Sequence, residues 1–412
     1  PVQGRTEAVA GGEAPQAERL RSALRSFPAA VVALWIVWTS ALVAAVGLGI
    51  AGGAYDRAKA WPNTPLFPFF SWDFGWYEDI AYHGYSAIAD RRYAFFPLWP
   101  WLLRASPFQD WKLAGVLALA ASALAFLGVA AASPGKRPRE TAVALACWPG
   151  SFALLLAYPD ALALAAAAWA AALVLRRRPL AAAPLGAIAA LARPNGFLIA
   201  LPLALLARGR GIRYWLAAAA PVAAAAAVEG FFWERSGDAN AFFDAQKLWG
   251  RRGPSGIGTW ARHIWDRLGG HAALFAVLAI AAAAVLGLAW RRFGLLPFAI
   301  GAYVAAVPVL LASTQSLQGV TDSARAVLIL PLLVLLWRLG GAYRPWAAFA
   351  TAVVVALLGS GLMHSFGRQS LFAFPIFWAL ADGPAWLRKP PLLALGFASN
   401  VALVLILTRF AP

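Results

Sequence analysis

Charge is scarce in this chain, and cysteine is scarcer still. Of its 412 residues only 13% are charged, while 61% are hydrophobic; a soluble globular chain is about a quarter charged and about half apolar. The deficit excludes a soluble domain, because surface-to-volume scaling demands a polar shell over any water-facing core. It excludes intrinsic disorder as well, since a chain this apolar has ample surface to bury. The single cysteine, Cys147, lies inside an apolar run, which rules out an internal disulfide and a cysteine-built metal site and leaves a small apolar filler. His83, His263, His271 and His364 do not approach any ligand spacing. No phosphate-cradling glycine loop, nucleotide fingerprint or repeat of fixed period is present.

Long hydrophobic runs fill the space these absences leave. A helix crosses the hydrocarbon core with about 20 apolar residues, fewer where neighbours shelter it. Candidate spans run over 28–51, 113–133, 141–157, 161–175, 179–192, 196–207, 214–228, 271–290, 293–312, 326–338, 345–363, 370–384 and 391–408. The first run is too long for a cleavable signal peptide and reads as a span. Residues 1–27 read as a cytoplasmic N-terminal tail, polar and rich in Gly, Ala and Glu over its first part. The rest, 28–412, reads as one all-α polytopic membrane domain. Its alanine-rich spans suit close helix approach.

The net charge of +17 would suggest nucleic acid in a soluble chain, but the distribution argues for membrane topology. With the N-terminus in the cytoplasm, the loops that fall inside hold Lys136, Arg137, Arg139, Arg176, Arg177, Arg178, Arg208, Arg210, Arg213, Arg291, Arg292, Arg338, Arg344, Arg388 and Lys389. That is fifteen bases against one acid, Glu140. The two long loops that fall outside are balanced, with six acids and five bases in 51–110 and five acids and six bases in 229–270. Every basic knot lands on one side, which fits about thirteen spans and an external C-terminus. The expected location is a bacterial plasma membrane, with any chemistry on the extracytoplasmic face.

The densest segment is the loop 51–110, expected to carry catalysis if any loop does. It reads Ser71-Trp72-Asp73-Phe74-Gly75-Trp76-Tyr77-Glu78-Asp79-Ile80-Ala81-Tyr82-His83-Gly84-Tyr85, then Ala94-Phe95-Phe96-Pro97-Leu98-Trp99-Pro100. Acids packed among aromatics near hydrocarbon are expensive unless they have partners or work. The spacing predicts a short interfacial helix over 74–83 with Asp73 at its N-cap and Trp72, Trp76 and Tyr77 against the membrane. The apolar piece 95–104 is too short to cross and reads as re-entrant or interfacial. On spacing alone the segment is either an aromatic belt with a capping aspartate or a catalytic loop.

These residues resemble a known family. Trp-Asp-x-x-Trp-Tyr-x-x-Ile-Ala-x-x-Gly-Tyr, followed by Ala-Phe-Phe-Pro-Leu-Trp-Pro, is similar to the signature of the PIG-V-like mannosyltransferases, relatives of the enzyme that adds the second mannose to glycosylphosphatidylinositol. They belong to the GT-C superfamily of multi-span glycosyltransferases. The resemblance extends, in order along the chain, to Ala157-Tyr158-Pro159-Asp160, Ala192-Arg193-Pro194-Asn195-Gly196, Phe243-x-x-Gln246-x-x-Trp249 and Ser365-Phe366-Gly367-Arg368. A tyrosine commonly follows that arginine in the family; here Gln369 stands in its place.

The resemblance implies a GT-C-like bundle whose extracytoplasmic loops carry short interfacial helices. It implies an inverting enzyme that moves mannose from a polyprenyl-phosphate-mannose donor to a hydroxyl of a glycolipid or glycan acceptor. Asp73 occupies the place of the catalytic carboxylate and would act as general base. Arg193, Arg368 and Lys247 are the candidates for holding the donor phosphate, a task that a guanidinium fork suits; the competing role for each is a snorkelling anchor at a helix end. Trp72, Trp76, Tyr77, Asp160 and Gln246 are the candidate substrate contacts, Asp160 with capping of its hairpin as the alternative. A divalent cation at Asp73, Glu78 and Asp79 is conceivable, as in some GT-C members, but none is expected to be obligatory. The loop 229–270, rich in aromatics, is expected to cover part of the outer mouth.

Two other readings stand beside this one. A lipid or glycolipid transporter or flippase would show charged or broken helices near the midplane in two matching halves, whereas the ionisable residues here favour external helix ends and the halves do not match. A GT-C enzyme for another sugar, arabinose for example, fits the same residues. The identity of the acceptor, and the choice between monomer and dimer, stay open.

Overall fold

The computed structural model describes residues 13–52, 67–105, 111–135, 137–250, 317–359 and 366–409. The expected spans 271–290 and 293–312, the residues His263, His271 and His364, the loop from 251 to 270 and the segment 53–66 lie outside the described residues. Within them all regular structure is helical. Among the described residues four helices are long and apolar enough to cross a membrane: Phe27–Ala51, Trp111–Ala131, Ile212–Ser236 and Gly341–Gly359. Shorter apolar helices, Asp160–Leu175, Pro179–Ala192 and Pro194–Ala207, match further runs of the sequence but fall below full crossing length, while the apolar stretches Leu328–Leu339 and Pro390–Leu405 lie within longer helices.

In chain order the elements are α1 (Glu13–Ala51), α2 (Phe74–His83), α3 (Leu98–Arg104), α4 (Trp111–Ala131), α5 (Pro138–Cys147), α6 (Asp160–Leu175), α7 (Pro179–Ala192), α8 (Ala200–Ala207), α9 (Ile212–Ser236), α10 (Ala241–Leu248), α11 (Leu317–Leu339), α12 (Arg344–Gly359), α13 (Pro375–Asp382) and α14 (Pro390–Arg409). Helix α1 starts at Glu13, ahead of the apolar run and inside the expected tail, because residues 13–27 are rich in the helix formers Ala, Glu, Arg and Leu. Helices α4, α6, α7 and α9 pack in succession, and α5 lies against α1, α13 and α14. Alanine makes this possible: Ala167, Ala168, Ala170, Ala171 and Ala172 of α6 and Ala182, Ala189 and Ala190 of α7 are fully buried, so the backbones approach closely.

Two expected spans are broken. The run 141–157 is helical only to Cys147; the segment Trp148-Pro149-Gly150 then turns, and a 3₁₀ stretch, Ser151–Leu155, follows. Pro149 pushes Trp148 into an extended conformation at ψ 128°, and Gly150 takes φ +109°, a value that favours glycine. A break among buried residues needs its backbone groups satisfied from elsewhere. Asn400 of α14, itself fully buried, does this. Its Oδ1 accepts from the amides of Gly150 at 2.9 Å and Phe152 at 3.3 Å, and its Nδ2 donates to the carbonyls of Ala146 at 3.1 Å and Trp148 at 2.7 Å. The run 370–384 likewise opens with a 3₁₀ turn, Ser370–Phe372, after a single helical turn at Phe366–Gln369, and α13 starts only at Pro375. Both breaks fall where the chain delivers polar residues to one place.

Candidate active site

The first of those polar residues comes from α2, which forms where the sequence predicts it, over Phe74–His83. Phe74, Tyr77, Ile80 and Ala81 recur on one face and are buried, the spacing of an amphipathic helix. The helix stops at Gly84, whose amide donates to the Ile80 carbonyl at 2.8 Å with φ +76°. Asp73 holds the N-cap position, but its side chain makes no capping bond. Its Oδ2 instead lies 2.7 Å from a terminal nitrogen of Arg368. Freed of capping, the carboxylate faces the turn Phe366–Gln369.

The second acid arrives through the broken helix. After the 3₁₀ stretch the chain reaches Ala157, whose amide donates to the Phe69 carbonyl at 2.8 Å and whose carbonyl accepts from Trp99 Nε1 at 3.1 Å. The loop 67–105 thus grips the hairpin from both sides. Tyr158 and Asp160 follow, fully buried and 8% exposed respectively. Asp160 opens α6, where the positive end of the helix dipole favours a carboxylate, and its Oδ2 sits 2.7 Å from Arg193.

Arg193 reaches this point because α7 ends before Pro194. The residue ahead of a proline is driven to extended geometry, and Arg193 has φ −147° and ψ 144°. The chain then folds back so tightly that a Cβ at Gly196 would stand 1.9 Å from the Ala189 carbonyl oxygen, so only glycine fits. Arg368 lies between the two acids, with Nε 4.0 Å from Asp160 Oδ1. The result is a chain of alternating charges, Asp73–Arg368–Asp160–Arg193, formally neutral. Arg368 and Arg193 side chains are each 12% exposed, Asp160 8% and Asp73 27%; Asp73 is therefore the member most open to solvent.

Buried ion pairs contribute little net stability, because desolvation offsets their attraction. Burial alone would push the Arg368 guanidinium down, yet Asp73 and Asp160 beside it hold it above its ordinary range. Burial likewise pushes the phenols of Tyr77 and Tyr158 up, so both stay neutral. The Arg368 guanidinium carbon sits 5.0 Å from the centre of the Tyr158 ring, within cation–π range. Arg368 Nε and Gln369 Nε2 are buried donors without a hydrogen-bond partner among the described residues.

The remaining sequence candidates divide. Tyr77 is buried beside Tyr158, ring centres 6.2 Å apart, rather than lying against the membrane. Trp76 is half-buried, stacked at 10° on Phe95 and edge-on to Trp249 at 5.5 Å, so the segment after α10 docks on the first loop. Trp249 Nε1 donates to the Arg91 carbonyl at 3.2 Å. Trp72 is exposed, with φ +58°. Lys247 is not brought to the cluster; it pairs with Asp244 at 2.6 Å on the exposed face of α10, and Gln246 lies on that same short helix. Asp79 binds His83 at 2.9 Å and Arg92 at 2.7 Å and so does not join Asp73, while Glu78 lines a shallow cleft with Phe74, Tyr82, Leu103, Arg104 and Trp111. Among the described residues no three acidic, histidine or cysteine side chains stand together as a cation site.

Sequence reading missed Asn400, which carries no motif and shows its role only through the break it fills, and it gave Tyr158 no function of its own. Comparison with known proteins returns no matching family model, no matching curated protein and no matching solved structure.

Proposed function

We propose that this chain is an inverting glycosyltransferase that moves mannose from polyprenyl-phosphate-mannose to a hydroxyl of a glycolipid or glycan acceptor. The observation that carries the reading is the meeting of Asp73, Asp160, Arg193 and Arg368 from four separate segments in one charge chain. In this account the bundle has about thirteen spans, and the distribution of basic loops supports an extracytoplasmic cluster. The protein works within a cell membrane on a lipid-borne donor.

The chemistry is a single displacement. The acceptor oxygen bonds to the anomeric carbon while the bond from that carbon to the phosphate oxygen breaks, and its electron pair leaves on the lipid phosphate. Asp73 takes the acceptor's proton as the new bond forms. Positive charge develops on the sugar ring, as at other glycosidic centres, and negative charge grows on the leaving phosphate. Arg368 and Arg193 meet that charge. Arg368 has its Nε and the neighbouring Gln369 its Nε2 as buried donors to offer phosphate oxygens. A phosphate competes with Asp73 for the same guanidinium, so donor binding loosens the ion pair and leaves the carboxylate ready for the acceptor proton. Trp72, exposed next to Asp73, offers an aromatic face to a sugar ring.

The test is transfer of label from radioactive polyprenyl-phosphate-mannose by the purified protein in liposomes containing candidate glycolipid acceptors. Mannosylated acceptor and free polyprenyl phosphate are expected in equal amounts. Release of sugar to neither lipid nor glycan, with every acceptor and with arabinose donors as well, overturns the reading in favour of transport.

A further inference from the structure

Trp72 is a bulky residue in the left-handed region, φ +58°, a conformation such a side chain holds only where its surroundings impose it. One side chain brackets it here. The Tyr158 hydroxyl accepts from the Asp73 amide at 3.0 Å and donates to the Ser71 carbonyl, so it spans the turn on both sides of Trp72. The same residue's ring lies under the Arg368 guanidinium at 5.0 Å. Its own backbone is fixed through Ala157, held by Phe69 and Trp99, and the side chain is fully buried. Tyr158 therefore touches the backbone of the acid and the face of the cation at once.

We infer that Tyr158 is a positioning residue: its hydroxyl pins the Ser71–Asp73 turn so that the Asp73 carboxylate meets Arg368 and the Trp72 indole stands exposed beside it. The inference rests on the reading of Asp73 as the base, and it separates two functions within one side chain. The hydroxyl sets the acid, and the ring seats the cation. A phenylalanine fills the same space and keeps the seat while losing the clamp; a leucine loses both. Burial keeps the phenol neutral, as donation to the Ser71 carbonyl requires.

Tyr158→Phe and Tyr158→Leu are compared with wild type in full-length protein. Two readings are taken: kcat and KM for polyprenyl-phosphate-mannose, and amide hydrogen exchange across residues 71–75. For Tyr158→Phe, kcat is expected to fall about 100-fold, the effect of a displacement of about an ångström at a reacting group. Its donor KM stays within about twofold of wild type, and exchange quickens at 71–75 while α6 stays protected. Tyr158→Leu raises KM in addition. Unchanged kcat in Tyr158→Phe, unchanged exchange at 71–75, or exchange quickening equally through α6, each overturns the inference. Should wild type transfer no sugar, the base assignment falls, and the exchange at 71–75 alone decides the clamp.

Discussion

A carboxylate as buried as Asp160 is costly until a cation stands beside it, and here one does, at 2.7 Å. Removing only the partner strands the charge, which typically costs about 3–5 kcal/mol; removing both relieves it. Arg193→Gln should therefore lower the thermal midpoint in detergent far more than the double variant Asp160→Asn/Arg193→Gln, because Arg368, 4.0 Å away, is already engaged by Asp73. Equal losses in the two variants would show that the pair is not coupled. The members of this network were legible in the sequence as candidates, because each sits in a short motif at a helix end. Their pairing was not, since nothing in local spacing says which arginine meets which acid. Lys247 carried the same credentials and turned out to serve a neighbouring aspartate on its own helix.

At the scale of elements, α2 forms over the 74–83 that the spacing predicts, with Asp73 at the N-cap position although its side chain makes no capping bond. The break after α5 was not legible in the same way. The apolar run resumes directly after Trp148-Pro149-Gly150-Ser151, and a proline inside a span is as compatible with a kink as with a stop. What decides for a stop is Asn400, distant in sequence, which satisfies four backbone groups at the break. Asn400→Leu keeps the volume and removes those bonds, leaving buried backbone donors and acceptors unpaired at about 1–3 kcal/mol each. The variant should melt earlier and, because the break delivers Tyr158 and Asp160, lose sugar transfer even at temperatures where it stays folded. Stability equal to that of wild type would mean that the break holds itself.

At the scale of the whole molecule, the regular structure among the described residues is all helical, with four helices able to cross a membrane, and the proposed sidedness rests on the basic knots of the sequence. The single cysteine makes this measurable: Cys147→Ser gives a cysteine-free background. In it, His83→Cys, at an exposed position of α2, should react with an impermeant maleimide in intact cells, and Arg176→Cys, exposed after α6, only after permeabilisation. The opposite pattern would invert the topology and place the charge chain in the cytoplasm. Composition made the class of molecule plain at once, because so apolar a chain has no other home. The number of spans was less plain, as many of the runs are short and broken.

The central claim is that Asp73 removes the acceptor proton within a site assembled by Arg368, Asp160 and Arg193. Mannose transfer from labelled polyprenyl-phosphate-mannose by wild type, Asp73→Asn and Asp73→Glu tests it most directly. The asparagine keeps the shape but cannot take a proton, so its kcat should fall by at least about 100-fold, with donor binding intact, while the glutamate recovers part of the rate. Transfer by Asp73→Asn at the wild-type rate would contradict the account and move the base to another residue.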